Sequence, residues 1–140
     1  MLLELLLENL LTGAVECIIK QKIVVLLQER GYQVIRIAMC DDETAFLQTY
    51  QKKVSELFQE YNTDCKIDVY TDSRAFWEHC AETPYDLIFL DIDMPELSGI
   101  QLASKFRDNG LDTTLVFVSS HDDFVFETFR YNAYRFVRKN

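Results

Sequence analysis

The sequence predicts an α/β fold, a doubly wound five-stranded parallel sheet with helices on both faces. Three observations predict it. From residue 34 onward, short apolar runs alternate with amphipathic stretches, the pattern of strand–helix repeats. The run at 86–91 is apolar enough to be covered on both faces, as parallel strands are. Charged or hydroxyl residues follow the predicted strands at 41, 42, 91, 119 and 139, on the sheet edge where such folds bind ligands.

Taken in order, residues 1–33 are aliphatic and helix-prone, with no Pro and a Gly at 13 that is placed to divide the segment in two. Residues 34–40 read as a mostly buried strand. Phe46, Leu47, Tyr50, Val54, Leu57, Phe58 and Tyr61 then fall at helical spacing and form one apolar stripe. Residues 66–70 form a second strand, and Asp72 with Ser73 caps a short helix carrying Phe76, Trp77 and Cys80. Residues 86–91 form the third strand. Ser98 caps a helix bearing Ile100, Leu102, Ala103 and Phe106, which Asn109 and Gly110 end. Residues 115–118 form the fourth strand, Asp122 and Asp123 open a helix through Tyr131, and residues 134–139 form the fifth strand.

The chain has 140 residues, 49% hydrophobic and 26% charged, which suits a globular domain and excludes a disordered one. A net charge of −9 argues against DNA binding by this chain itself, since gripping phosphates requires clustered Lys and Arg. Cys17, Cys40, Cys65 and Cys80 form no C-x-x-C pair, so buried free thiols in a reducing cytosol are expected rather than zinc or thiol exchange. Glu4, Glu8, Glu16, Lys20 and Lys22 interrupt the Leu-rich start too often for a membrane span. Its acidic opening also makes a poor secretion signal, so a cytoplasmic location without membrane attachment is expected.

Asp41, Asp42 and Asp91 converge on one sheet edge with the Ser119 hydroxyl and the Lys139 ammonium. Three close carboxylates repel one another unless a cation sits among them, and hard oxygen ligands suit Mg²⁺. With the metal present, one carboxylate can attack a phosphoryl donor while Lys139 offsets the incoming charge. Ser119 can donate to a phosphoryl oxygen. Each residue also has a plainer reading: Asp41 and Asp42 as a solvated capping pair, Lys139 as a terminal charge, and Ser119 as a backbone partner.

At these positions the chain resembles the receiver domains of two-component response regulators. The matching pieces are residues 39–43 (MCDDE), 89–95 (FLDIDMP) with Ser98 and Gly99, 117–120 (FVSS), and 136–139 (FVRK). The resemblance spans residues 34–140 and implies a flavodoxin-like receiver. Its implied roles are Asp91 as the phosphorylated residue, Asp41 and Asp42 as the acidic metal pair, and the Asp93 carbonyl as a further Mg²⁺ ligand. Ser119 and Phe136 would be switch residues, and Lys139 the lysine that contacts the phosphoryl group. The pairs Cys40–Asp41, Ser119–Ser120 and Phe136–Val137 look most like receivers attached to LytTR-type DNA-binding domains.

The resemblance further implies a signalling phosphoprotein rather than a dedicated enzyme. A sensor histidine kinase would be the partner, and a homodimer stays open. The acyl phosphate would draw in Ser119, reposition Phe136 and alter the surface of the fourth receiver helix (residues 122–131) and the fifth strand. His121 near the site is a solvated loop residue in the plainer reading, and His79 is structural.

Two features depart from the family pattern. Asn140 stands where most receivers have Pro after the lysine, which puts the loop geometry there in question. The chain also stops before the family's last helix and before any output domain. Residues 1–33 have two explanations. They fold back as one or two helices into the missing helix's place, or they are an artefact of gene annotation with translation starting at Val34, in which case the abrupt C-terminus suggests a truncated gene.

Two alternatives concern function. A haloacid-dehalogenase-like phosphatase is suggested by Asp91 and Asp93 after an apolar strand, but Met94, Pro95 and the upstream Asp41–Asp42 pair argue against it. A degenerate, binding-only receiver is the other.

Overall fold

The computed structural model describes residues 2–31, 34–80, 82–121 and 123–139. A long helix α1 (Leu2–Arg30) precedes β1 (Ile35–Cys40), α2 (Thr44–Glu60), β2 (Cys65–Tyr70), α3 (Ser73–Cys80), β3 (Leu87–Asp91), α4 (Gly99–Asp108), β4 (Thr114–Ser119), α5 (Val125–Thr128) and β5 (Arg135–Arg138). The strands form one sheet in the order β2-β1-β3-β4-β5, and every pairing is parallel. This is the predicted doubly wound sheet, with β3 buried along its whole length.

Because side chains alternate across a strand, the sheet has two separate cores. Ile37, Met39, Leu87, Phe89, Val116, Val118 and Val137 face one side and pack with α1 and α2. Ala38, Cys40, Ile88, Leu90, Leu115 and Phe117 face the other and pack with α3 and α4. The stripe predicted for residues 46–61 holds, since Leu47, Tyr50, Val54, Leu57 and Phe58 are buried on α2.

The helix starts follow local chemistry. Ser98 caps α4 in a capping box with Gln101. At α3 the cap is Asp72 alone: its Oδ1 accepts from the N–H groups of Arg74 at 2.9 Å and Ala75 at 3.0 Å. Ser73 lies inside the helix and its hydroxyl turns to the β3–α4 loop, donating to the Pro95 carbonyl at 3.1 Å and accepting from Leu97 N–H at 3.2 Å. The helix expected through Tyr131 is shorter than predicted. α5 starts at Val125 without a side-chain cap and tightens into a 3-10 turn, Phe129–Tyr131, that ends at Asn132 in the left-handed conformation. Asp122 lies outside the described residues, as does Asn140 beyond Lys139.

α1 runs unbroken through Gly13. One glycine costs a helix only about 1 kcal/mol, and the Leu-rich neighbours are strong helix formers. Ile18, Ile19, Ile23 and Leu26 are buried in the first core. Polar contacts tie α1 to the amino-terminal ends of the strands: Lys22 Nζ donates to Thr114 Oγ1 at 2.6 Å, and the Tyr134 hydroxyl donates to Gln21 Oε1 at 2.7 Å. No helix among the described residues is long and apolar enough to cross a membrane.

Two details lay beyond sequence reasoning. The Arg107 guanidinium donates to the carbonyls of Tyr131, Leu111, Thr113 and Asn132 at 2.7 to 3.3 Å, clamping the connections into β4 and β5 together. Of the four cysteines expected to be buried, only Cys40 and Cys80 are; Cys17 is exposed and Cys65 intermediate. Cys17 lies on the outward face of α1, and Cys65 begins an edge strand. His79 is tied to the fold through its Nδ1, 2.8 Å from the Tyr70 hydroxyl.

Since Ile19 is fully buried and Val24 is 54% exposed on the same helix, their truncations should differ. Ile19→Ala should cost about 3 kcal/mol and Val24→Ala less than about 0.5 kcal/mol, as read by urea denaturation.

Candidate functional site

The carboxyl ends of β1, β3 and β4 and the residue after β5 bring the predicted polar residues together. Asp41 follows β1 directly, and its Oδ1 accepts the Glu43 N–H at 2.9 Å, a local turn that leads into α2. Asp91 is the last residue of β3, the central strand. Lys139 follows β5 and is held in line by its N–H, which donates to the Ser119 carbonyl at 2.8 Å.

The Lys139 ammonium lies 2.8 Å from Asp41 Oδ2 and 3.4 Å from Asp91 Oδ1, with all three side chains no more than 5% exposed. Glu43 Oε1 completes its surroundings at 3.2 Å. Asp42 is exposed at the rim, yet one ligand oxygen from each of Asp41, Asp42 and Asp91 lies within 4.8 Å of the others. Such a set of hard oxygen donors fits a small divalent cation.

The electrostatics are unbalanced. Burial, and then the neighbouring Asp41 carboxylate, push the Asp91 carboxyl up to about 7 against the opposing pull of Lys139. Burial likewise raises Asp41, although its hydrogen bonds to Lys139 and Glu43 act against the shift. For Lys139, burial favours the neutral amine, but the hydrogen bond and charge of Asp41, with Asp91, outweigh it and leave the group raised. One ammonium therefore does not neutralise the cluster, which favours a bound cation.

The other predicted residues are less tightly gathered. Ser119 is fully buried at the end of β4, and its Oγ accepts from the His121 N–H at 3.1 Å, which leaves its own proton for another acceptor. The Asp93 side chain is exposed and faces His121, whose Nε2 is 3.6 Å from Asp93 Oδ2; neither carboxylate oxygen joins the acidic cluster. His121 is 60% exposed, in line with the plainer reading of a loop histidine. Phe136 is half-buried against the second core, on the side of α5.

Three contributors were given no role at the site by the sequence reading. Glu43 and Phe46 both approach the Lys139 ammonium. Glu43 was visible only as a neighbour of the acidic pair, and Phe46 only as part of an apolar stripe. The third is Gly99. A Cβ there would lie 2.2 Å from the Asp91 carbonyl oxygen and 2.9 Å from Ile92 Cα, both backbone atoms. The absent side chain lets α4 start against the backbone of Asp91, where Gly99 N–H donates to the Ile92 carbonyl at 2.9 Å.

Comparison with known proteins follows the same lines. Residues 37–140 match the family described as the response regulator receiver domain. The transcriptional regulatory protein NatR of Bacillus subtilis is 26% identical over 106 residues, covering 75% of this chain and 43% of NatR. The sensory transduction protein LytR of Staphylococcus haemolyticus is 36% identical over 73 residues, 52% of this chain and 28% of LytR. The chain thus spans less than half the length of these relatives. Among solved structures, the response regulator TrrA from Thermotoga maritima in complex with Mg²⁺-BeF has a TM-score of 0.66 at 22% identity, covering 76% of this chain and 88% of TrrA. The chemotaxis protein CheY4 of Vibrio cholerae has a TM-score of 0.62 at 17% identity, with 76% and 88% covered.

Gly99→Ala should destabilise the fold by about 2 kcal/mol or more, because the new methyl meets backbone on both sides; chemical denaturation measures it. The raised Asp91 carboxyl sets a pH dependence as well. Its folded pKa lies above the unfolded value of about 4, so the folded chain keeps a proton that the unfolded chain releases. That stability is fully present below about pH 4 and is lost as pH rises towards 7. In EDTA, the urea midpoint should fall across this window, and Asp91→Asn should flatten the slope.

Proposed function

The chain belongs to the response regulator receiver family, and from that premise we propose that it is a phosphoacceptor switch in two-component signalling, phosphorylated on Asp91 by a sensor histidine kinase. One observation carries the reading: the gathering of Asp41, Asp42 and Asp91 within 4.8 Å, with the Lys139 ammonium at 2.8 and 3.4 Å from two of them. The family assignment sets aside the phosphatase alternative. The intact acidic cluster favours a working receiver over a binding-only one.

In this reading an Asp91 carboxylate oxygen bonds to phosphorus as the phosphorus–nitrogen bond of a phosphohistidine breaks, leaving an acyl phosphate on Asp91 and the imidazole on the kinase. Asp41, Asp42 and Asp91, with the Asp93 carbonyl, would hold Mg²⁺, which supplies positive charge against the phosphoryl oxygens when bound. Lys139 contributes a second cation, already oriented by Asp41, so little reorganisation accompanies the transfer. Ser119 has a hydroxyl proton to donate to a phosphoryl oxygen. Its movement, with that of Phe136, would shift the population of surface states at α5 and β5.

Residues 34–140 form the receiver domain in this reading. Residues 1–33 are an extension whose helix covers part of the sheet, supported by the burial of Ile18, Ile19, Ile23 and Leu26 in the core that also contains Val116, Val118 and Val137. The DNA-binding or other output would belong to a partner or to a longer protein, and the setting would be cytoplasmic.

Incubating the chain with acetyl phosphate and Mg²⁺ tests the reading by intact mass. The expected result is a gain of about 80 Da that requires Mg²⁺, maps to Asp91 and vanishes in Asp91→Asn. A folded chain that shows no gain under these conditions would overturn it.

A further inference from the structure

We propose that Phe46 and Tyr50 of α2 form an aromatic platform that fixes the Lys139 ammonium beside Asp41 and Asp91, making both rings positioning residues for the phosphoryl pocket. The proposal rests on the phosphoacceptor reading for its functional consequence but not for its geometry.

Lys139 poses a positioning problem. Its backbone is pinned by one hydrogen bond to Ser119, but the side chain has four rotatable bonds and loses rotamer entropy when held in place. Three carboxylates (Asp41, Glu43 and Asp91) lie within 3.4 Å of Nζ and compete for it. The Phe46 ring adds a further constraint, with its centroid 4.5 Å from Nζ. That lies well inside the range for a cation over a ring face, and the attraction is strongest where water is excluded.

Phe46 is itself fixed. Tyr50, one helical turn further along α2, stacks on it at 4.4 Å between centroids. Tyr50 in turn meets Phe89 edge-on at 6.3 Å, and Phe89 lies on β3, two residues before Asp91. A continuous line of rings therefore runs from the strand bearing the phosphoacceptor to the ammonium that serves it. Tyr50 is 5% exposed, and its hydroxyl has no hydrogen-bond partner among the described residues. The ring, rather than the hydroxyl, is what the site uses. The same two rings line a narrow cavity together with Asp41 and Asp91, so they also form an apolar wall of the acidic cluster.

Two readouts on the full chain test this. In proton–carbon NMR of the metal-free protein, the Lys139 ε-methylene protons, assigned by their loss in Lys139→Arg, should be shifted upfield by the ring. The shift should disappear in Phe46→Leu and persist in Phe46→Tyr and Tyr50→Phe, which keep the faces. With acetyl phosphate and Mg²⁺, Phe46→Leu should take up the phosphoryl group about tenfold more slowly, while Phe46→Tyr should stay within about twofold of wild type. A wild-type ε-methylene signal at its random-coil position overturns the platform even if Phe46→Leu fails to fold. So does a Phe46→Leu chain with wild-type uptake, or a Phe46→Tyr chain as slow as Phe46→Leu. Upfield-shifted protons in a wild-type chain that takes up no phosphoryl group support the platform and overturn the phosphoacceptor reading instead.

Discussion

Two carboxylates buried side by side with one ammonium between them constrain the rest of this structure. Asp41 and Asp91 are almost inaccessible to water, and Lys139 cannot neutralise both. A close pair of buried like charges is tolerable only with a strong counter-charge or a shared proton, and the upward pull on Asp91 expresses that tension. The folded chain thus carries an electrostatic deficit at one end of its sheet. A small cation among the three carboxylates would resolve it by supplying the missing positive charge.

The surrounding fold holds this deficit in place. β1 and β3 are adjacent in the sheet, and β4 and β5 follow in order, so that successive strand ends deliver Asp41, Asp91, Ser119 and Lys139 to one edge. Gly99 lets α4 press against the Asp91 backbone, and Ser73 ties α3 to the loop between them. On the opposite edge of the sheet, Arg107 clamps two loops and α1 meets the starts of β4 and β5. The polar chemistry is concentrated at one edge, and much of the cross-bracing lies at the other. The contrast explains how a chain of this size can tolerate buried charges at its site.

Much of this was legible in the sequence because it depends on local period and on strand ends. The stripe from Phe46 to Tyr61 gave α2, the apolar run before Asp91 gave β3, and Ser98 gave the start of α4. Where the reading missed, non-local partners decided. Asp122 and Asp123 look like a helix start, but the chain delays α5 to Val125 and tightens it into a 3-10 turn whose Tyr131 carbonyl is taken by Arg107. Ser73 looks like a cap, but its hydroxyl finds partners more than twenty residues away. Gly13 looks like a break, but one glycine is a weak interruption in a helix whose later turns are buried against the sheet.

The sequence by itself determined the sheet, its helices and the set of acidic, hydroxyl and basic residues at the strand ends, because strand–helix alternation and parallel crossovers leave few other arrangements. Tertiary structure alone decided how those groups meet. It placed Lys139 against Asp41 across 98 residues of chain, turned the Asp93 side chain towards His121 and away from the acidic cluster, and set an aromatic face beside the ammonium. The reason is physical: a pattern records which side chains are buried, but distances between charges depend on the packing of elements far apart in sequence.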